Sequence, residues 1–171
     1  MRPYKSYFNW SGGKDSAIAL YYVLQNPSFS IDLLFTSVNS SFQRISMHGV
    51  RVELLQQQAL SIGLPLHQLL LPEQPTMSDY DSILNVALND LKDKGYTYSL
   101  FGDIFLEDLR QYRERQLKAV GLKAHFPIWQ RNTKELLLEF IDLGFKAVLV
   151  CVKSPMFDAS FAGRLIDRDL I

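Results

Sequence analysis

Tyr4-Lys5-Ser6-Tyr7-Phe8-Asn9-Trp10, then Ser11-Gly12-Gly13-Lys14-Asp15-Ser16, then Ala17-Ile18-Ala19-Leu20-Tyr21-Tyr22-Val23-Leu24, is the stretch that decides the fold of this chain. The first segment has the aromatic, apolar pattern of a β-strand from Tyr4 to Trp10. From Ser16 to Gln25, Ile18, Leu20, Tyr21 and Leu24 supply the apolar positions of a helix. The loop between them is short, polar and rich in glycine. Its backbone N–H groups converge at the positive end of the helix, where an anion is stabilised. Gly12 and Gly13 permit close approach of a phosphate. Lys14 adds a point charge, Ser11 and Ser16 add hydroxyl donors, and Asp15 supplies a carboxylate for the Mg²⁺ that accompanies pyrophosphate. Two commoner phosphate loops are excluded. The Walker pattern needs glycine where this chain has Phe8 and Ser or Thr where it has Asp15, and no Gly-x-Gly-x-x-Gly follows the first strand.

Working outward, the same strand-then-helix rhythm continues. Ile31 to Val38 reads as a second strand, Asn39 to His48 as a polar loop, and Val50 to Ile62 as a helix stopped by Gly63 and Pro65. Leu66 to Leu71 reads as a third strand, and Asp79 to Lys94 as an amphipathic helix closed by Gly95. Tyr96 to Phe101 is the fourth strand, and Leu106 to Val120 a charged helix. Thr133 to Leu143 is a further helix, and Phe145 to Val152 the last strand. Alternation of this kind predicts an α/β fold, a three-layer sandwich around a mostly parallel sheet of about five strands. Ligands in such sheets collect at the carboxyl ends of the strands. The segments Ser11 to Ser16, Asn39 to Gly49 and Gly102 to Asp108 are therefore expected to share one mouth.

Composition narrows the class. The 171 residues are 47% hydrophobic and 21% charged, the balance of one globular domain, here taken as residues 1–171. Lys plus Arg and Asp plus Glu both number 18, so no net field draws the protein to long nucleic acids. The single cysteine, Cys151, sits in an apolar run and is expected to be a small buried residue. No run approaches the ~18 apolar residues of a membrane span, and the first residues lack the pattern of a signal peptide, so a cytoplasmic enzyme is expected.

The hexapeptide Ser11 to Ser16 resembles the PP-loop of the N-type ATP pyrophosphatases, enzymes that release pyrophosphate while adenylating an oxygen of their acceptor. Further segments resemble the diphthine–ammonia ligase-like branch. These are Ser46-Met47-His48-Gly49-Val50-Arg51 with Gln58-Ala59 and Gly63-Leu64-Pro65; Phe101-Gly102-Asp103-Ile104; Arg110 to Glu114; Phe126-Pro127-Ile128-Trp129; and Phe161-Ala162-Gly163-Arg164 with Asp167. The resemblance implies an adenine nucleotide alpha hydrolase-like, Rossmann-like fold of the HUP type that binds ATP with Mg²⁺. It implies catalytic roles for Lys14, Asp15 and Asp103, with Asp15 the metal ligand. It places nucleotide contacts at Ser11, Gly12, Gly13, Lys14, Asp15, Ser16 and Gly102, with adenine against the backbone of Thr36, Ser37 and Val38. His48 is expected on the ligand side. Arg113, Glu114, Trp129 and Arg164 are the expected acceptor-side residues, whereas His67 and His125 have strand-like settings that suit structural roles. Arg110 and Glu114 also have the i, i+4 spacing of a solvated helix pair. Members of the branch usually continue into a Gly-Glu-rich stretch that shapes the acceptor site. The sequence as given ends at Ile171, so that segment is expected to be missing.

The reaction so implied adenylates a carboxylate, and ammonia displaces AMP to leave an amide. The expected partners are ATP, ammonia and an unidentified carboxylate acceptor, with no membrane and no long nucleic acid. Oligomeric state is left open, a homodimer included. Two other readings share the loop. A non-catalytic ATP or AMP sensor needs only the binding half. An RNA-thiolating enzyme commonly uses catalytic cysteines and a basic surface, which one cysteine and a net charge of zero disfavour.

Overall fold

The computed structural model describes residues 2–46, 49–153 and 157–171. It divides into two compact units, Met1–Trp129 and Gln130–Ile171. The first holds the sheet. Strands β1 (Tyr4–Asn9), β2 (Phe29–Asn39), β4 (Leu66–Leu71), β5 (Tyr98–Phe101) and β6 (Lys123–His125) alternate with helices α1 (Lys14–Leu24), α2 (Val52–Ile62), α3 (Met77–Asp93) and α4 (Glu107–Ala119), and the two-residue β3 (Arg44–Ile45) follows β2.

All pairings among β1, β2, β4, β5 and β6 are parallel. Leu34 and Phe35 pair with Phe8 and Asn9 on one side and with Leu66 and His67 on the other, so β1 and β4 must flank β2. The parallel order is therefore β4-β2-β1-β5-β6. Val38 and Asn39 still pair with β4 while they pair antiparallel with Ile45 and Arg44, which puts β3 on the edge of β2 just beyond the end of β1. This is the expected α/β sheet of parallel crossovers.

Successive strand residues face opposite sides. Tyr7, Phe35, Leu69, Leu71 and Phe101 pack with Leu88 and Leu91 of α3 and Leu117 of α4. Phe8, Leu34 and Leu100, one step out of phase, are fully buried on the opposite face, and α1 packs on β2. The boundaries have local causes. Gly63 ends α2 in the left-handed conformation at φ 80° and returns its N–H to Ala59. Thr76 and Asp79 form a reciprocal capping box at the start of α3. Among the described residues no helix is long and apolar enough to cross a membrane.

The second unit is built on α5 (Thr133–Asp142), whose Asn132 cap accepts from the N–H groups of Lys134 and Glu135 at 3.0 and 3.1 Å. Arg131 pairs with Glu139 at 2.8 Å, Arg168 with Asp142, and Phe140 stacks on Phe145 at 5.1 Å. Residues 145–152, expected as the last strand, form no strand. A single bridge joins Val148 to Leu165, flanked by bonds from Gly163 N to Leu149 O and from Ile166 N to Ala147 O. Val150 is 77% exposed, and Cys151, expected to be buried, is exposed. An apolar run records a capacity to pair, and with only this short neighbour to bridge to among the described residues, the run stays irregular. The sheet's fifth parallel strand is β6 instead, three residues that end at His125, whose setting is strand-like but which falls in none of the expected strands.

Candidate nucleotide-binding site

The loop after β1 has the form its composition requires. Gly12 has φ 75°, a conformation that side-chain-bearing residues rarely adopt. Gly13 is the N-cap residue of α1 and provides no side-chain cap, so the first-turn N–H groups face the loop's concave side. Across that concavity the hydroxyls of Ser11 and Ser16 lie 2.7 Å apart, and Ser11 N donates to Ser16 Oγ at 3.3 Å. Lys14 Nζ contacts both carboxylate oxygens of Asp15 at 2.8 Å, with both side chains a little over one-third exposed. A cation, a carboxylate, two hydroxyls and a helix N-terminus thus occupy one short loop.

Two neighbouring elements hold this loop in place. Gln58 of α2 donates from Nε2 to Gly12 O at 3.2 Å and accepts from the indole N–H of Trp10 at 3.0 Å. On the other side the chain leaving β5 passes against α1. A Cβ on Gly102 would lie 2.9 Å from Ser16 N and Cα and 3.1 Å from Asp15 C, so only glycine fits against that backbone. Asn9 ties the strand ends together, donating from Nδ2 to Ser99 Oγ at 2.8 Å and to Leu100 O at 2.9 Å. The loop 11–16 and the loop that begins at Gly102 are therefore adjacent.

Asp103 follows. Its Oδ2 lies 3.2 Å from Arg113 Nε, an ion-pair distance without good hydrogen-bond alignment, while Arg113 Nη2 donates to Oδ1 at 3.4 Å. The side chains are 22% and 28% exposed, so this pair is screened less than a surface one. Arg113 also lies over the Phe101 ring at 4.3 Å. Phe101 stacks on Phe126 at 5.2 Å and Phe126 contacts Trp129 at 5.6 Å. Arg110 covers Trp129 at 4.8 Å and donates to Glu114 at 2.9 Å. Arg113 and Trp129 thus belong to one ladder of guanidinium and aromatic planes, while Glu114 makes the exposed i, i+4 pair that its spacing suggested.

Thr36, Ser37 and Val38 lie at the carboxyl half of β2, one strand from the loop, and Trp10 N donates to Phe35 O at 2.8 Å beside them. The Ser37 carbonyl accepts from both N and Oγ of Ser46 at 3.1 and 2.9 Å. Thr36 and Val38 run along β4 in register with Gln68 and Leu70. His48 lies outside the described residues. Arg164 belongs to the second unit, where its guanidinium lies over Phe161 at 5.1 Å.

A family profile described as the diphthamide synthase N-terminal domain matches residues 4–124, the span that carries the loop and the strands and helices from β1 to α4. The chain belongs to this family. It thereby joins the PP-loop superfamily of nucleotide-binding enzymes. No curated protein sequence matches it. Among solved structures it is similar to a predicted subunit of a tRNA methyltransferase from Methanocaldococcus jannaschii, with a TM-score of 0.54 and 15% identity over 80% of this chain and 75% of that one. It is also similar to the U34-tRNA thiolase NcsA from Methanococcus maripaludis, described with its [4Fe-4S] cluster, with a TM-score of 0.51 and 18% identity over 92% of this chain. The chain spans 61% of the thiolase's length. At these identities the likeness establishes the fold, a Rossmann-like PP-loop sheet.

Within the diphthamide synthase frame, several residues at the site had no assigned role in the sequence. Gln58 belongs to a segment that carries the family resemblance, but nothing in the sequence showed its contact with Gly12, and Asn9 and Ser99 look like ordinary strand residues. Behind the Asp103–Arg113 pair, burial raises the pKa of Tyr7, opposed by its bond with Ser99 and by the nearby Arg113 charge. Asp81 of α3 accepts from Tyr112 and from Gln116, at 2.8 Å for the latter, and so joins α3 to α4. Burial, reinforced by that bond to Asp81, pushes the Tyr112 phenol up to about 12, so it remains a donor near neutrality. His67 stacks on Phe35 at 5.3 Å, and His125 lies against Phe29 at 4.8 Å, where burial lowers its pKa.

Proposed function

We propose that the protein binds MgATP at the loop 11–16, cleaves it between the α- and β-phosphates, and uses the AMP moiety to activate a carboxylate that ammonia converts to an amide. The observation that carries this reading is the loop itself, with Lys14, Asp15 and the Ser11 and Ser16 hydroxyls gathered at the uncapped N-terminus of α1 in a member of the diphthamide synthase family.

Lys14 releases Asp15 and meets the departing pyrophosphate, while the N–H groups at the start of α1 and the two hydroxyls bind its oxygens. Preorganised donors aimed at developing charge need no reorganisation during the reaction. Among the described residues no group of three or more His, Cys, Asp or Glu is disposed to hold a metal alone. Mg²⁺ is usually held by one or two carboxylates together with substrate phosphates and water, and Asp15, on the loop itself, would supply one. When bound, the ion neutralises phosphate charge as a Lewis acid. Adenine lies along the end of β2, by Thr36 to Val38. Asp103, oriented by Arg113, stands next to Gly102 on the side of the α-phosphate, and the ladder from Arg113 to Trp129 faces the acceptor. The carboxylate oxygen attacks the α-phosphorus and pyrophosphate leaves; ammonia then attacks the acyl carbon and AMP leaves.

Incubation with Mg²⁺ and α-labelled ATP, with and without a cell extract plus ammonium, tests the reading. AMP that appears with extract and grows with ammonium supports it, and ADP as sole product overturns it. The guanidinium–aromatic ladder also favours one other reading, because planar cations and rings suit the stacking of bases, and both solved neighbours carry tRNA-modifying descriptions. In that case AMP release follows added tRNA rather than ammonium.

A further inference from the structure

Gln58 lies on α2, outside the loop it touches, yet it makes two directional contacts at the loop's entrance. Its Nε2 donates to Gly12 O at 3.2 Å and its Oε1 accepts from Trp10 Nε1 at 3.0 Å. Trp10 is 5% exposed and Leu55, one turn before Gln58, is fully buried, so both ends of the contact rest on a rigid base. In a planar trans peptide the C=O and the following N–H point in opposite directions. Drawing the Gly12 carbonyl toward α2 therefore turns the Gly13 N–H the other way. That N–H lies 3.4 Å from Ser11 Oγ, which lies 2.7 Å from Ser16 Oγ. Gly12, with φ 75° and no side chain, is the residue most free to let this peptide flip. Its missing Cβ would also fall 2.9 Å from Gln58 Oε1, so the close fit exists from both sides.

We propose that Gln58 is a positioning residue that fixes the Gly12–Gly13 peptide with its N–H toward the two serine hydroxyls, completing a donor set for the pyrophosphate moiety. Gln58 acts through Gly12 and need not touch ligand. The proposal rests on the functional reading above insofar as the ligand of the loop is pyrophosphate. It separates the two halves of the nucleotide: loss of Gln58 weakens the grip on pyrophosphate and leaves the adenosine end at β2 unaffected.

Calorimetric titration with magnesium pyrophosphate and, separately, with AMP reads this directly, using the full chain and Gln58→Met, which keeps the side-chain volume but neither hydrogen bond. Loss of one directed phosphate donor predicts pyrophosphate binding weaker by about tenfold and AMP binding changed by less than about twofold. The ¹⁵N–¹H resonance of Gly13 provides a second readout. It should be displaced in ligand-free Gln58→Met and should respond less to pyrophosphate than in the wild type. Equal losses for both ligands, or wild-type pyrophosphate affinity with an unmoved Gly13 resonance, would overturn the proposal. A wild-type protein that binds AMP but no pyrophosphate would overturn the functional reading as well, and the two failures are told apart by the wild-type titration.

Discussion

Gly102→Ala is the sharpest test of how the fold builds its site. The added Cβ meets Ser16 N and Cα at 2.9 Å and Asp15 C at 3.1 Å, and every one of these atoms is backbone. Ordinary carbon contacts lie at about 3.5–4.0 Å, so α1 and the end of β5 must part by roughly 0.5–1 Å. Forcing a methyl group into a packed site typically costs about 1–3 kcal/mol, which for a chain of this size lowers Tm by roughly 2–4 °C per kcal/mol. The effect on chemistry is larger than the effect on stability. The displaced atoms belong to the first turn of α1, whose N–H groups bind the leaving group in the proposed reaction, and a shift of ~1 Å in a reacting constellation can cost on the order of 100-fold in rate. AMP release from α-labelled ATP measures the second effect and calorimetric melting the first. Gly95→Ala supplies the contrast: at φ 86° it is strained, but nothing lies within 4 Å of its Cβ. It should lose stability, by about 1–2 kcal/mol for the left-handed backbone, and keep its AMP release. Wild-type turnover in Gly102→Ala, or equal loss of turnover in Gly95→Ala, would refute the close approach of β5 to α1 as the feature that sets the loop.

Other outcomes follow from the same geometry. Lys14→Ala should lower AMP formation by on the order of 100-fold, with kcat affected more than KM because in the proposed reaction the charge acts on the departing pyrophosphate; steady-state kinetics decide between the two. His125 has its pKa lowered from 6.5 by burial, so the unfolded chain binds more protons than the folded one between that value and the lower folded pKa. Its contribution to stability is present above about pH 6.5 and is lost as pH falls through the folded pKa. Denaturation curves of His125→Phe should therefore fall less steeply across that window than those of the wild type. Asn132→Ala removes the cap of α5 and should cost about 1 kcal/mol, read in urea unfolding, with nucleotide binding at the first unit unchanged.

The local code of this chain was legible. β4 runs from Leu66 to Leu71 as its apolar run indicated, Gly63 and Gly95 close α2 and α3 from left-handed positions, and Ser11 to Ser16 joins a strand to a helix with the backbone that two glycines allow. Each is a short-range matter of sterics, hydrogen bonding or periodicity, so neighbouring residues suffice to specify it. What lay beyond the sequence were relations between distant segments. Phe145 to Val152 had the composition of a strand, yet a strand exists only where another edge receives it, whereas the shorter Lys123 to His125 was given one by β5. The grip of Gln58 on Gly12 and the pressure of Gly102 on Ser16 span separations of 46 and 86 residues, across which no periodic pattern carries information. The sequence by itself determined that a phosphate loop opens α1 in a parallel α/β sheet. Tertiary structure alone decided which residues hold that loop in shape, because a contact between two elements depends on where the whole sheet places them.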